Sequence, residues 1–368
     1  MRNLTVLIKP ASSLCNMRCS YCFYRDVVSH REVSSHGIMS YNTLETLIRR
    51  AFAFSDESVS FVFQGGEPMM AGIEFYKTAV SYQKKYNSRH IRVFNTIQTN
   101  GTLIDDEFAD FLGKNRFLVG ISIDGDRTLN DKHRTFPDGS GSYDRIKSGI
   151  ELLKKHKVDF NVIAVVSKDS ARDPEKVYSS LKEYGYLQFI PLIDDFNCNE
   201  TEYSLSASDF GRFLTKTFDL YYRDIKSGNY VSVRDFDSYV NMIRGLPPSS
   251  CAMLGKCGGY FTVEADGSVY PCDFYVTDEY KIGNINEASF FSLSKSQVML
   301  DFIESSAFKN EKCLECKWLQ ICRGGCRRHR EPFPSVSKFC EAYSYFFDNC
   351  YDKLIDIRQM VSDASAKR

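Results

Sequence analysis

Cys15-Asn16-Met17-Arg18-Cys19-Ser20-Tyr21-Cys22-Phe23-Tyr24 gathers three cysteines into one short stretch near the start of the chain. Thiolates at C-x3-C-x2-C spacing can wrap one corner of an iron–sulfur cluster while supplying only three of the four ligands that a closed site uses. One iron is then left open. An open metal position points to chemistry on a bound small molecule rather than to electron storage. The three thiols taken alone also fit a structural zinc site. What surrounds the loop decides both the metal and the fold.

Just before the loop, Thr5 to Ile8 is an apolar run, and similar runs follow at Val59–Phe63, Ile91–Ile97, Leu118–Ile123, Phe160–Val166 and Leu187–Leu192. They are β-branched or aromatic and nearly continuous, the pattern of strands buried on both faces of a parallel sheet. Helical spacing lies between them: within Tyr143–His156, Ile146, Ile150 and Leu153 share one face. Six strand–helix units are too few for a closed eight-unit barrel, so the expected fold is α/β, an open, TIM-like partial (β/α)6 barrel. The distinctive motifs each follow a strand. The cysteine loop follows the first, Gln64-Gly65-Gly66-Glu67-Pro68 the second, Gln98-Thr99-Asn100-Gly101 the third and Ser122-Ile123-Asp124-Gly125 the fourth. In a parallel barrel those strand ends share the face on which active sites are built.

Further along, Phe210, Leu214, Phe218, Tyr221 and Ile225 recur at helical spacing behind a capping Ser206. Loop residues then dominate Gly245–Ser250, after which Tyr260–Val263 and Ser268–Tyr270 flank Glu264-Ala265-Asp266-Gly267 as a hairpin. The expected division is residues 1–235 for the barrel and 236–368 for a cysteine-rich domain, with a frayed tail from Ser362 to Arg368.

The 368 residues carry 47 Lys plus Arg against 47 Asp plus Glu, so no overall field draws in nucleic acid or an anionic membrane, and neither partner is expected. Met1–Pro10 has too short an apolar run for a signal peptide, and no stretch approaches membrane-span length. Thirteen cysteines without an export signal argue for a reducing cytoplasm, where clustered cysteines serve as metal ligands more often than as disulfides.

The glycines of Gln64–Pro68 allow a ligand close to the backbone, whose carbonyls, with Glu67, suit a cationic amino group. Together with the cysteine loop this motif resembles the radical S-adenosylmethionine superfamily. The resemblance implies that Cys15, Cys19 and Cys22 hold a 4Fe–4S cluster, that S-adenosylmethionine chelates its open iron, and that Gln64, Gly65, Gly66 and Glu67 hold the amino group. It also implies that Tyr21 or Phe23 lies near the adenine, Ser122 and Asp124 near the ribose and methionine part, Arg134 near the carboxylate, and Ile193 against the adenine. Blander readings stay open: a cap or turn for Ser122 and Asp124, a solvated side chain for Arg134, and core packing for Ile193.

The later cysteines form a ladder, Cys257-x9-Gly267-x4-Cys272, then Cys313-x2-Cys316-x5-Cys322-x3-Cys326, then Cys340. It resembles the C-terminal extension known as the SPASM domain. With Cys251 it offers eight thiolates, enough for two further sites. By resemblance, Cys251, Cys257, Cys272 and Cys326 hold one auxiliary 4Fe–4S cluster, and Cys313, Cys316, Cys322 and Cys340 the other, three clusters in all. Cys198 and Cys350 are left as buried thiols without a ligand role.

Ile8–Ser13, Phe63–Pro68, Gln98–Ile104 and Gly267–Tyr275 look like anaerobic sulfatase-maturating enzymes, with similarity over nearly the whole chain. Those enzymes oxidise a cysteine or serine of a sulfatase peptide to Cα-formylglycine. A 5′-deoxyadenosyl radical takes a β-hydrogen, and an aspartate directly after an auxiliary-cluster cysteine is the proposed base, which here is Asp273. An electron donor such as flavodoxin or ferredoxin is implied as a partner. Two alternatives remain: a superfamily maturase that cross-links a ribosomally made peptide, and a non-catalytic iron–sulfur carrier or zinc-stabilised module. Asp273 favours the first reading over the cross-linking one. The segments Asp126–Gly141 and Asp194–Ser204 match no motif, and loops of this kind shape substrate choice.

Overall fold

The computed structural model describes residues 2–366 apart from Cys198, Gly259, Phe308 and Lys309. In chain order the first half comprises β1 (Asn3–Ile8), α1 (Phe23–Ser29), α2 (Tyr41–Phe54), β2 (Ser58–Phe63), α3 (Ile73–Tyr86), β3 (Arg92–Thr99), α4 (Asp106–Lys114), β4 (Leu118–Ser122), α5 (Arg127–His133) and α6 (Tyr143–Lys155). There follow β5 (Phe160–Val166), α7 (Lys168–Ala171), α8 (Pro174–Leu181), β6 (Tyr186–Pro191), α9 (Ala207–Lys226), β7 (Ser232–Val233) and α10 (Arg234–Ile243). The remainder holds β8 (Tyr260–Val263), β9 (Ser268–Tyr270), β10 (Gly283–Asn284), α11 (Phe290–Leu293), α12 (Gln297–Ser306), α13 (Glu311–Leu314), α14 (Leu319–Cys322) and α15 (Cys340–Ala366).

The chain divides into two compact units. The first contains Met1–Ser122, Asp131–Phe160 and Gly258–Ile303. Its strands lie in the order β10-β9-β8-β1-β2-β3-β4. Strands β8, β1, β2, β3 and β4 run parallel, and the β8–β9 hairpin folds back antiparallel. Register has a direct consequence for the site. Ile8 pairs with both Phe63 and Val263, so Lys9, Gln64 and Glu264 leave three neighbouring strands at one level. The helices that cover this sheet are capped as their sequences require: Ser40 accepts the Thr43 N–H at the start of α2, and Asp105 that of Phe108 at the start of α4.

In β1 and β2 every second residue is buried while its neighbours on the other face are half-buried or, at Asn3, exposed. For these two strands the expectation of burial on both faces is therefore corrected. The less buried face carries Thr5, Ser60, Thr96 and Gln98, polar side chains that interrupt the apolar runs at every second position.

The second unit contains Ile123–Asn130, Asn161–Cys257 and Glu304–Arg368. Parallel β5, β6 and β7 form its sheet strands. The long helices α9 and α15 pack through aromatic edges, Phe210 on Phe339 at 4.9 Å and Phe218 on Phe346 at 5.4 Å. Gly211 permits the close approach, since a Cβ there would meet Ala342 Cα at 3.2 Å. The helix expected over 206–225 forms as α9, with Ser206 accepting the Asp209 N–H. The tail expected to fray from Ser362 is instead the continuing end of α15 as far as Ala366. Among the described residues, no helix is long and apolar enough to cross a membrane.

Candidate active site

The turn after β2 lies flat against the segment that leads into Cys15. Gly66 N–H donates to the Ser12 carbonyl at 3.0 Å and Glu67 N–H to the Leu14 carbonyl at 2.7 Å. A Cβ on Gly66 would stand 2.2 Å from Leu14 O, and one on Gly65 2.9 Å from Ser12 O. The object that needs these glycines is thus the chain's own cysteine loop. Glu67, wholly buried, accepts from Met69 N–H at 2.9 Å, from the Thr99 hydroxyl at 2.7 Å and from Asn100 N–H at 2.8 Å. Burial pushes its carboxyl up to about 7 against the pull of those three donors. Asn100 also donates to Asn16 Oδ1 at 2.9 Å, and Asn16 to the Thr102 hydroxyl at 2.9 Å. The motifs after β1, β2 and β3 are therefore one hydrogen-bonded body, with Glu67 as its centre.

Backbone hydrogen bonds seat the cysteine loop along His133–Thr135: Arg18 N–H reaches Thr135 O at 2.8 Å and Ser20 N–H reaches His133 O at 3.0 Å. Tyr21 lies 5.4 Å from the His133 ring, and the Arg134 guanidinium stands 5.5 Å from the Tyr21 centroid. Arg134 is buried, so the solvated reading is set aside. Cys22 caps α1, and Cys15 Sγ accepts the Met17 N–H at 3.4 Å.

Asp273 follows Cys272 at the start of a short 3-10 turn, Asp273–Tyr275. Its Oδ2 accepts from the Tyr24 hydroxyl at 2.6 Å and from Gln64 Nε2 at 2.9 Å. Its Oδ1 faces Lys9 Nζ at 3.7 Å, and that ammonium sits 4.3 Å from the Tyr24 ring centroid. Phe23 packs on Tyr24 at 4.1 Å and on Phe274 at 5.0 Å. Burial pushes the Asp273 carboxyl up; Lys9 and Tyr24 draw it back, and the Glu264 carboxylate adds to the rise. Glu264 is itself paired with Arg31 at 2.7 Å, both side chains being nearly inaccessible. Sequence reasoning missed Lys9, Arg31 and Glu264; the signal it could have used is a lysine and a glutamate placed directly after apolar strands.

Ser122 Oγ accepts from Gln98 Nε2 at 3.1 Å. Asp124 is buried and its Oδ1 accepts the Val165 N–H at 2.9 Å, and Ile193 is half-buried just beyond β6. In the second unit the ladder gathers as two sets. Burial, then Cys340, Cys313 and Cys316, push the Cys322 thiol up to about 11. Burial, then Cys251 and Cys257, push Cys326 up to about 12. Cys272 belongs to the first unit. Among the described residues no cysteine is held in a disulfide, Cys350 is buried, and Cys198 lies outside the described residues. Among the described residues, no three His, Cys, Asp or Glu side chains are gathered to hold a single metal ion. The donor sets are all sulfur, crowded enough that their thiolates repel, which suits the positive charge of iron–sulfur cores.

Residues 10–181 match the Radical SAM superfamily, and residues 255–317 match SPASM, an iron–sulfur cluster-binding domain. A cysteine-type anaerobic sulfatase-maturating enzyme of Clostridium novyi is 46% identical over 96% of this chain and 97% of its own length. A serine-type counterpart from Bacteroides thetaiotaomicron is 32% identical over 94% of this chain and 89% of its own length. The solved structure of native anSMEcpe with bound AdoMet and Cp18Cys peptide superposes with a TM-score of 0.94 at 39% identity, covering 98% of this chain and 100% of the other. The fold is accordingly the unclosed radical SAM barrel with a SPASM domain, and the cofactors are S-adenosylmethionine and 4Fe–4S clusters. The chain belongs to the anaerobic sulfatase-maturating enzymes, a family of radical S-adenosylmethionine oxidoreductases.

Proposed function

We propose that this enzyme oxidises a cysteine side chain in a sulfatase peptide to Cα-formylglycine. The carrying observation is Asp273, a buried carboxylate directly after Cys272 that receives Tyr24 from the cysteine-loop helix and Gln64 from the glycine turn. The higher identity to the cysteine-type relative than to the serine-type one supports a cysteine target.

Cys15, Cys19 and Cys22 would hold the cluster that binds S-adenosylmethionine, with Tyr21, Phe23, Gln64–Glu67, Ser122, Asp124, Arg134 and Ile193 as its surroundings. Cys251, Cys257, Cys272 and Cys326 would hold one auxiliary cluster, and Cys313, Cys316, Cys322 and Cys340 the other. When bound, S-adenosylmethionine and its cluster supply a 5′-deoxyadenosyl radical that takes a hydrogen atom from the target carbon. Asp273 takes the thiol proton. The side chain would thereby lose a hydrogen atom to the radical, a proton to Asp273 and an electron to an auxiliary 4Fe–4S cluster, and water would hydrolyse the resulting thioaldehyde to the aldehyde with release of hydrogen sulfide. Glu67 fixes the glycine turn so that its backbone and Gln64 keep their places. We assign residues 1–235 to the radical-forming domain and 236–368 to the SPASM domain, with flavodoxin or ferredoxin as electron donor. The clustered cysteines support a cytoplasmic location.

Anaerobic incubation with S-adenosylmethionine, a reductant and Cys-x-Pro-x-Arg or Ser-x-Pro-x-Arg peptides, read by mass spectrometry, tests the reading. An aldehyde on the cysteine peptide is expected. A cross-linked product, or none, would overturn it in favour of peptide cross-linking chemistry.

A further inference from the structure

Lys9 is wholly buried at the end of β1, and its Nζ has no hydrogen-bond partner. Such an ammonium is costly unless an anion answers it. Its surroundings within this unit are the Tyr24 ring from α1 at 4.3 Å and Asp273 Oδ1 at 3.7 Å. Oδ1 is buried and likewise lacks a hydrogen-bond partner, whereas Oδ2 carries the bonds from Tyr24 and Gln64. Glu264, which leaves β8 level with Lys9, is already matched by Arg31 at 2.7 Å. The two carboxyl oxygens of Asp273 are therefore inequivalent, one turned to a buried cation and the other to two neutral donors.

We propose that Lys9 is a positioning residue for the base: it holds Oδ1 inward, so that Oδ2, beside Tyr24 and Gln64, is the oxygen that meets the substrate. The inference rests on the reading of Asp273 given above. Lys9 itself reaches no substrate, since none of its side chain is accessible. Its removal frees the carboxylate to rotate about the Cβ–Cγ bond and to pull away from Tyr24.

Two measurements test this. In the reconstituted enzyme, Lys9→Met should lower the aldehyde formed per 5′-deoxyadenosine by about tenfold, with KM for the peptide little changed, and Lys9→Arg should recover much of the loss. A ratio equal to wild type in Lys9→Met, or a loss carried by KM alone, overturns the proposal. The second measurement needs no substrate. In a thermal double-mutant cycle, Lys9→Met should destabilise the wild-type chain more than it destabilises the Asp273→Asn chain, because only the former retains the anion. Equal costs in the two backgrounds also overturn it. If the wild type forms no aldehyde while the cycle shows coupling, the fault lies with the assigned reaction and not with the Lys9–Asp273 pair.

Discussion

Arg31 and Glu264 show how much a single buried charge can govern. Their side chains meet at 2.7 Å with almost no access to water, and Glu264 stands close enough to Asp273 to push its carboxyl up. Arg31→Met leaves Glu264 unanswered and should cost about 3 kcal/mol of stability, read from denaturation midpoints of the reconstituted protein. Arg31→Met combined with Glu264→Gln should return most of that loss, since no uncompensated charge remains. None of this pairing was legible beforehand. Arg31 and Glu264 lie 233 positions apart, and only the register of β8 on β1 brings the second beside the first's neighbourhood. Cysteines are different: spacing alone shows which thiols share a loop, so their grouping along the chain was readable while the charges around them were not, and their division into ligand sets came from the family resemblance.

At the scale of elements, the strands were readable to within one or two residues because their apolar runs are bounded by turn residues. Val59–Phe63 was expected and Ser58–Phe63 forms; Phe160–Val166 forms as expected. The hairpin around Glu264–Gly267 forms with the expected strands, and Gly267 takes a φ of +89° in its turn. What the pattern could not reveal is the object that approaches a glycine. Gly65 and Gly66 suggested a ligand, yet a Cβ at position 66 meets the Leu14 carbonyl first. Gly66→Ala should therefore displace the turn or the cysteine loop, lowering stability by about 2 kcal/mol and reducing the iron retained after reconstitution. Thermal midpoints and iron content check this together; wild-type values in both would show that the loop can yield without harm.

Across the whole molecule, the second unit holds a latent acid sensitivity. Burial, with Arg328 and Lys338 adding to it, pushes His329 down to about 3, and its ring edge meets Phe339 at 5.1 Å. The unfolded chain takes up this proton as pH falls below the usual 6.5, but the folded chain resists it until about 3. Stability supported by the neutral ring is thus complete above pH 6.5 and is lost on acidification, by about 1.4 kcal/mol per pH unit across that window. His329→Phe should flatten this part of the stability profile, measured as denaturation midpoints between pH 7 and pH 5. An unchanged slope would place the acid sensitivity elsewhere.

Tyr24 lies two residues beyond Cys22, and Asp273 one residue beyond Cys272. Consecutive Cα atoms stand about 3.8 Å apart, a length the chain cannot stretch. The 2.6 Å bond between Tyr24 and Asp273 thus joins two points that each lie within a residue or two of a cysteine. Under the proposed ligand assignment, one side-chain bond therefore ties the proposed proton acceptor to the neighbours of two cluster ligands, so the place of the base and the seating of both clusters are a single structural matter.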